Sequence, residues 1–237
     1  MKSIVGRKMG MTQVFAEDGT SYAVTVVEVT PNVVTQVKTV EHDGYSALQV
    51  GVEDTKESKL NKCEKGIFEK ANVAPKKHLF EVKGDELASF VVGSEIKADL
   101  FAAGDIVDVV GVSKGRGFAG PIKRWHQKIG PKGHGSGAHR TIGSAANTGL
   151  GTNRIIPGKR MPGHMGHLSA TVQNLLVIES SAEKGYILVK GGIPGPKKSF
   201  VTIKTASKTQ FGKKQVVKPI LDRSEKVEAA PATEAAQ

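Results

Sequence analysis

The chain has 237 residues, 38% hydrophobic and 24% charged, with a formal net charge of +11 and a pI near 9.6. That length suits one large domain or two small ones. A basic excess of this size points to nucleic acid or an anionic membrane, and the sequence argues against the membrane: no run of about 18 apolar residues occurs.

The N-terminus, MKSIVGRKMGMTQVF, has neither an apolar core segment nor a small-residue cleavage site, so it is not read as a secretory signal. In chain order, residues 1–55 predict β structure. Val14 and Phe15 precede a turn at Glu17-Asp18-Gly19. The β-branched run 22–29 ends at Thr30-Pro31-Asn32, and 33–40 alternates as far as His42-Asp43-Gly44. A further short strand covers 45–52. Strands at this spacing predict an antiparallel sheet or a small barrel.

Residues 56–84 predict a helical insertion: 56–71 is helix-permissive, with Leu60, Ile67 and Phe68 as apolar positions, and Ala74-Pro75-Lys76-Lys77 breaks it. The single cysteine, Cys63, lies here without a neighbouring His–Asp set. It forbids an internal disulfide, fits a reducing compartment and reads as an inert thiol. Strand character returns at 90–93 and 106–110, around a turn at Ala103-Gly104-Asp105, and again at 171–178, 186–190 and 200–204, with GGIPGP at 191–196 as a turn. Residues 1–110 and 169–221 are therefore expected to form a β body. The tail, 222–237, is Ala, Glu, Pro and Thr without period and is expected to be disordered.

Between the strands lies 111–168, a stretch of 58 residues with ten Lys or Arg, five His and fourteen Gly, and no acid occurs anywhere between Asp108 and Glu179. The other parts of the chain carry 23 acids. No apolar period runs through the stretch at 2 or 3.6 residues. It cannot bury enough surface to offset the entropy of ordering its backbone. The expectation is a protruding arm, disordered when free, that a large polyanionic partner orders.

KGRGFAG at 114–120 resembles a phosphate loop but lacks the Gly-Lys-Ser/Thr ending, and no helix is legible after it. Glycines alternating with cations instead let backbone N–H groups approach phosphates while Lys and Arg neutralise charge. Trp125 has two readings, an anchor of the arm's base in the β body or a stacking ring for an unpaired base. His134, His139, His164 and His167 have no Cys or carboxylate to complete a metal site. Donation to phosphate or the 2′-hydroxyl, or stacking, suits them better. Paired carboxylates or a triad-like set, which catalysis requires, are absent from the stretch. GKRMPGHMG at 158–166 carries prolines and methionines that a purely flexible linker would not. An irregular, Gly-rich arm offers no regular helix to a DNA major groove and suits the packed interior of a folded RNA.

These residues resemble the large-subunit ribosomal protein L-three family in its bacterial or organellar form. The resemblance rests on GRKMGMTQVF at 6–15, VVTQVKT at 33–39, DGYSA at 43–47, SKGRGFAG at 113–120 with Lys123-Arg124, HGS at 134–136, Arg140, Gly143-Ser144, GKRMPGHMG at 158–166 and TVQN at 171–174, in that order. It implies a mainly β fold: a six-stranded closed β-barrel of the translation-factor type, here with a helical insertion and a long irregular basic extension. It also implies a structural, non-enzymatic constituent of the large ribosomal subunit in the cytoplasm, which binds rRNA early in assembly near the rRNA 3′ end. The arm would extend toward the peptidyl transferase centre, with the ribosomal proteins L-fourteen and L-nineteen as neighbours. No cofactor, metal, membrane or small-molecule substrate is implied. The alternatives are a nonspecific RNA chaperone and an RNA-modifying enzyme.

The rRNA-binding residues expected are Arg7, Lys8, Lys114, Arg116, Lys123, Arg124, Trp125, His126, Lys132, His134, His139, Arg140, Arg154, Lys159, Arg160, His164 and His167. Of these, Lys114, Arg116, Lys123, Arg124, Arg140, Lys159 and Arg160 match the family's basic arm motifs. The segment 145–157, AANTGLGTNRIIP, has no Gln, so the glutamine methylation that some bacterial members carry in the arm is not expected here.

Overall fold

The computed structural model describes residues 2–83, 90–145, 155, 157–208, 217, 218 and 220. The chain divides into two units: Met1–Val112 with Ala170–Gln237, and Ser113–Ser169. In chain order the first elements are β1 (Ser3–Phe15), β2 (Ser21–Glu28), β3 (Asn32–Lys38), the short helix α1 (Val40–Asp43), β4 (Ala47–Asp54), α2 (Lys62–Ala71), β5 (Lys76–Val82), β6 (Glu95–Ile96) and β7 (Ile106–Val112). Next come β8 (Phe118–Ala119), α3 (Pro121–Trp125) and β9 (Gly163–His164), and then β10 (Ser169–Ser181), β11 (Tyr186–Lys190) and β12 (Phe200–Thr205).

Six strands close into a barrel in the order β1-β12-β7-β10-β11-β2. β1 makes the closure possible by serving two partners. Ser3 to Arg7 pair antiparallel with β12, and Arg7 to Phe15 pair antiparallel with β2 on both sides of a bulge between Lys8 and Gly10. A bulge adds twist and bends its strand, which a barrel wall needs. The strands alternate with a period of two, and here both faces are apolar. Val27, Ile187, Val189 and Val177 point into the main core with Ile4, Val5, Val107, Val109, Val201 and Ile203. Val24, Leu188 and Ile178 point the other way, into a second cluster that Val217 and Ile220 help to cover. The one hydroxyl deep in the β2 row, on Thr25, donates to the Gly191 carbonyl at 2.6 Å, so its burial leaves no donor unpaired.

β3 to β6 do not join the barrel. They form a separate four-stranded sheet in the order β5-β4-β3-β6. Its Val34, Leu48, Val50, Val52, Val82 and Ile96 enter the same main core. The sequence reading of one continuous β body therefore resolves into two sheets over a shared interior.

Three local expectations are corrected. The helical insertion at 56–84 holds a 3₁₀ turn at Glu57–Lys59 and the helix α2, but its last part is the strand β5. There Phe80 and Val82 sit opposite Val50 and Leu48. The cross-strand partner decides this segment, and the Pro-Lys-Lys breaker before it conceals the alternation. The segment 90–93 is a turn, not a strand: Gly93 takes φ +88° and donates to the Val34 carbonyl at 2.8 Å. The strand read as 33–40 ends at Lys38, and Val40 opens a helical turn with its side chain exposed. The tail read as disordered, 222–237, lies outside the described residues. Among the described residues, no helix is long and apolar enough to cross a membrane.

Near its end the chain returns to the first hairpin. Ile220 bridges Ala16, and the Lys218 ammonium pairs with the Asp18 carboxylate, which also accepts from the Thr20 hydroxyl at 2.8 Å and the Thr20 N–H at 3.2 Å. Lys218 first, and Thr20 after it, hold the Asp18 pKa at about 2, below the usual 3.8. A lowered folded-state pKa means stabilisation that is full above the ordinary value and is lost as pH falls through the folded one. Carboxyl NMR titration of the full chain should give Asp18 a midpoint near 2, moving back toward 3.8 in Lys218→Ala. A wild-type midpoint at 3.8 would show that this tether does not form in solution.

Candidate nucleic-acid interface

The acid-free stretch is the second unit, Ser113–Ser169. Its two limbs run side by side at their base. The Ser113 N–H donates to the Leu168 carbonyl at 2.9 Å, and the Ser113 hydroxyl accepts from the Leu168 N–H at 3.2 Å. Further along, the Arg116 N–H donates to the Met165 carbonyl at 2.8 Å, and the Met165 N–H donates to the Gly117 carbonyl at 2.9 Å. Two residues thus face one, as in a β-bulge, and Gly117 takes the left-handed φ of +67°. β8 and β9 then pair, Phe118 opposite His164 and Ala119 opposite Gly163.

The turn α3 follows, with Pro121 at its start, where a missing N–H costs nothing. α3 delivers Arg124 and Trp125 to the returning limb. The Trp125 indole N–H donates to the Met161 carbonyl at 2.9 Å, and an Arg124 guanidinium N–H donates to the same oxygen at 3.1 Å. The guanidinium carbons of Arg124 and Arg160 lie 4.9 and 5.7 Å from the Trp125 ring centroid. Farther out, the Gly130 N–H donates to the His139 carbonyl at 2.9 Å, and the His139 Nδ1–H donates to the Pro131 carbonyl at 2.9 Å.

The described residues of the unit thus carry more local structure than composition predicts. Hydrophobic burial contributes little, since Ala119 and Pro121 are the unit's only buried residues among those described. Backbone pairing, one indole and two guanidinium groups supply the order instead. Trp125 has a role that neither reading named: its indole N–H fastens one limb of the unit to the other, while its ring stays more than a third exposed. The helix not legible after 114–120 is also present, as the five-residue α3.

The expected site residues separate into three groups. Lys114, Arg116, Lys123, His126, Lys132, His134, His139, Arg140, Lys159, Arg160, His164 and His167 are exposed on the second unit, with Trp125 more than a third exposed and Arg124 half-buried beside it. No carboxylate exists within the unit to neutralise its cations. Arg7 and Lys8 lie in the first unit and have internal partners. Arg7 forms an ion pair with Glu53 and sits 5.2 Å over the Phe200 ring, while the Lys8 ammonium donates to the Ile193 and Gly195 carbonyls at 2.7 and 3.0 Å. Arg154 lies outside the described residues. Among the described residues, no group of three His, Cys, Asp or Glu side chains could hold a metal ion.

The order of these motifs and the clasp that organises them can be set against known proteins. The family model described as Ribosomal protein L3 matches residues 85–184. The large ribosomal subunit protein uL3 of Halalkalibacterium halodurans is 53% identical over 209 residues, covering 88% of this chain and 99% of that relative. The chain belongs to the ribosomal protein L3 family. The large ribosomal subunit protein uL3 of Latilactobacillus sakei subsp. sakei is 55% identical over 207 residues, 87% of this chain and 97% of the relative. That of Geobacillus sp. is 49% identical over 209 residues, 88% and 98% respectively. L3 membership thus spans the barrel and the basic unit together.

Gly166 tests the clasp. It takes φ +77°, and a Cβ there would lie 2.2 Å from the Lys114 carbonyl oxygen. A left-handed side chain alone costs about 1–2 kcal/mol. Gly166→Ala should therefore speed amide exchange at Arg116 and Met165 by at least roughly 5- to 30-fold, leaving barrel amides such as Val109 unchanged. Unchanged exchange at both arm amides would mean that the limbs are not paired in solution.

Proposed function

We propose that this chain is a structural constituent of the large ribosomal subunit, a cytoplasmic rRNA-binding protein whose second unit is the RNA-contacting arm. The observation that carries the reading is the acid-free, cation-rich unit whose described limbs are clasped together by their own hydrogen bonds, in a chain of the L3 family. Exposed Lys and Arg neutralise phosphates, and backbone N–H groups in glycine-rich turns approach them closely. His and Trp side chains add stacking and hydrogen bonds to bases and 2′-hydroxyls.

The finer account follows the family resemblance. The protein binds early in subunit assembly near the rRNA 3′ end, its arm runs toward the peptidyl transferase centre, and the ribosomal proteins L-fourteen and L-nineteen lie beside it. The arm tunes the geometry of the catalytic RNA without performing chemistry. Lys114, Arg116, Lys123, Lys132, Arg140, Arg154, Lys159 and Arg160 supply the charge. Arg7 and Lys8 add to RNA contact only from positions already engaged with protein groups, so their contribution is the smaller one. A chaperone reading would need equal affinity for unrelated RNA, and an enzyme reading would need acidic or cofactor-binding groups beside the arm.

Salt dependence tests the charge account. If six to ten cations contact phosphate, the log affinity for large-subunit rRNA should fall against log salt with a slope of about −4 to −9. Unrelated RNA of equal length should bind more weakly at every salt concentration. A flat salt response, or equal affinity for both RNAs, would overturn the reading.

A further inference from the structure

Phe118 is 78% exposed, more than any other large apolar side chain among the described residues. Leaving a ring of that size in water forfeits the stabilisation that burial would return. It is not the exposure of a loose loop. Phe118 is paired to His164 in the ladder, the bulge at Gly117 fixes the residue before it, and Ala119 after it is 4% exposed.

Directly opposed residues of an antiparallel pair project to the same face, with Cβ atoms about 4.5–5.5 Å apart. Phe118 and His164 therefore share one face of the β8–β9 ladder, and both are exposed. Ala119 and Gly163 occupy the other face. The result is two exposed aromatic side chains on one face of a paired ladder, on a unit whose Lys114, Arg116 and Lys123 are also exposed.

We propose that Phe118, with His164 beside it, is a stacking platform for an unpaired nucleobase of the RNA. The inference rests on the RNA-binding reading and adds to it a residue that electrostatics does not select. Phe has no polar atom with which to meet a phosphate, so its contribution is to the base face. Base–aromatic stacking tolerates any base, because each has a π-face. A backbone already paired in a ladder does not have to be ordered on binding, which lowers the cost of association. The surrounding charge favours RNA over a protein partner: the unit offers ten Lys or Arg and no acid.

The experiment is binding of the full chain to transcribed large-subunit rRNA over a salt series. It compares the wild type with Phe118→Ala, Phe118→Leu, Phe118→Tyr and Arg116→Ala. Phe118→Ala should weaken binding by about 5- to 150-fold with an unchanged salt slope. Phe118→Tyr should stay close to wild type, and Phe118→Leu should behave like Ala despite its bulk. Arg116→Ala should instead reduce the slope by about one. Wild-type affinity in either Phe118→Ala or Phe118→Leu overturns the platform. So does normal RNA binding by Phe118→Ala with defective entry into the subunit, which would give Phe118 a protein neighbour instead. Amide exchange at Met165, unchanged in Phe118→Ala, shows that the ladder persists; faster exchange would make Phe118 a structural residue and would also overturn the proposal. A wild-type chain that fails to prefer the rRNA refutes the subunit reading, whereas the loss in Phe118→Ala relative to wild type still judges the platform on whatever RNA is bound.

Discussion

One carbonyl oxygen organises the basic unit. Met161 O accepts the Trp125 indole N–H and an Arg124 N–H, tying the end of α3 to the returning limb. A segment this rich in Gly and cations has no apolar core to hold it. Its own charges repel, and nothing within it has the opposite sign. The clasp answers this with bonds that do not need burial. Backbone pairs run from Ser113–Leu168 through Phe118–His164, and a ring at the far end attracts two guanidinium groups through its π-face. The cations at the clasp thus help to hold the shape in which the others are presented.

The two units solve opposite problems. In the first, alternate residues of β2, β10 and β11 feed two apolar clusters, and acids and bases pair within the unit: Arg7 with Glu53, Lys38 with Glu81, Lys76 with Asp54. In the second, carboxylates are excluded by sequence, and hydrogen bonds to main-chain carbonyls replace ion pairs. Charge left without a partner inside the protein is what an RNA phosphate backbone can neutralise. Fixing the limbs in advance reduces the ordering that binding must impose. The same residues serve both ends of this arrangement: Arg124 and Arg160 steady Trp125 and also add to the positive charge of the unit.

Much of this was legible in the sequence. The β-branched alternation of 22–29, 106–110 and 186–190 reports barrel strands because each strand buries residues on a period of two. The basic unit was legible from what is missing, the acids between Asp108 and Glu179. Less legible was anything set by a distant partner. Nothing near Lys76 says that β4 will pair with β5, and nothing near Val33 says that β3 will leave the barrel for a second sheet. Arg7 and Lys8 read as rRNA-binding residues, and their internal partners, Glu53 and the carbonyls of Ile193 and Gly195, were not visible because they are far off in the chain. The clasp was the least visible feature. It consists of main-chain bonds and an indole reaching a carbonyl 36 residues away, and composition reports neither. Phe118 escaped notice because a search for charge passes over a ring without any.

The central claim is that Ser113–Ser169 is the RNA-contacting part of a large-subunit protein, and crosslinking within native ribosomal particles, mapped to single nucleotides, tests it most directly. Crosslinks from this unit should fall on large-subunit rRNA and cluster near the peptidyl transferase centre. Crosslinks scattered over unrelated RNAs, or arising from the barrel with none from the basic unit, would contradict the account.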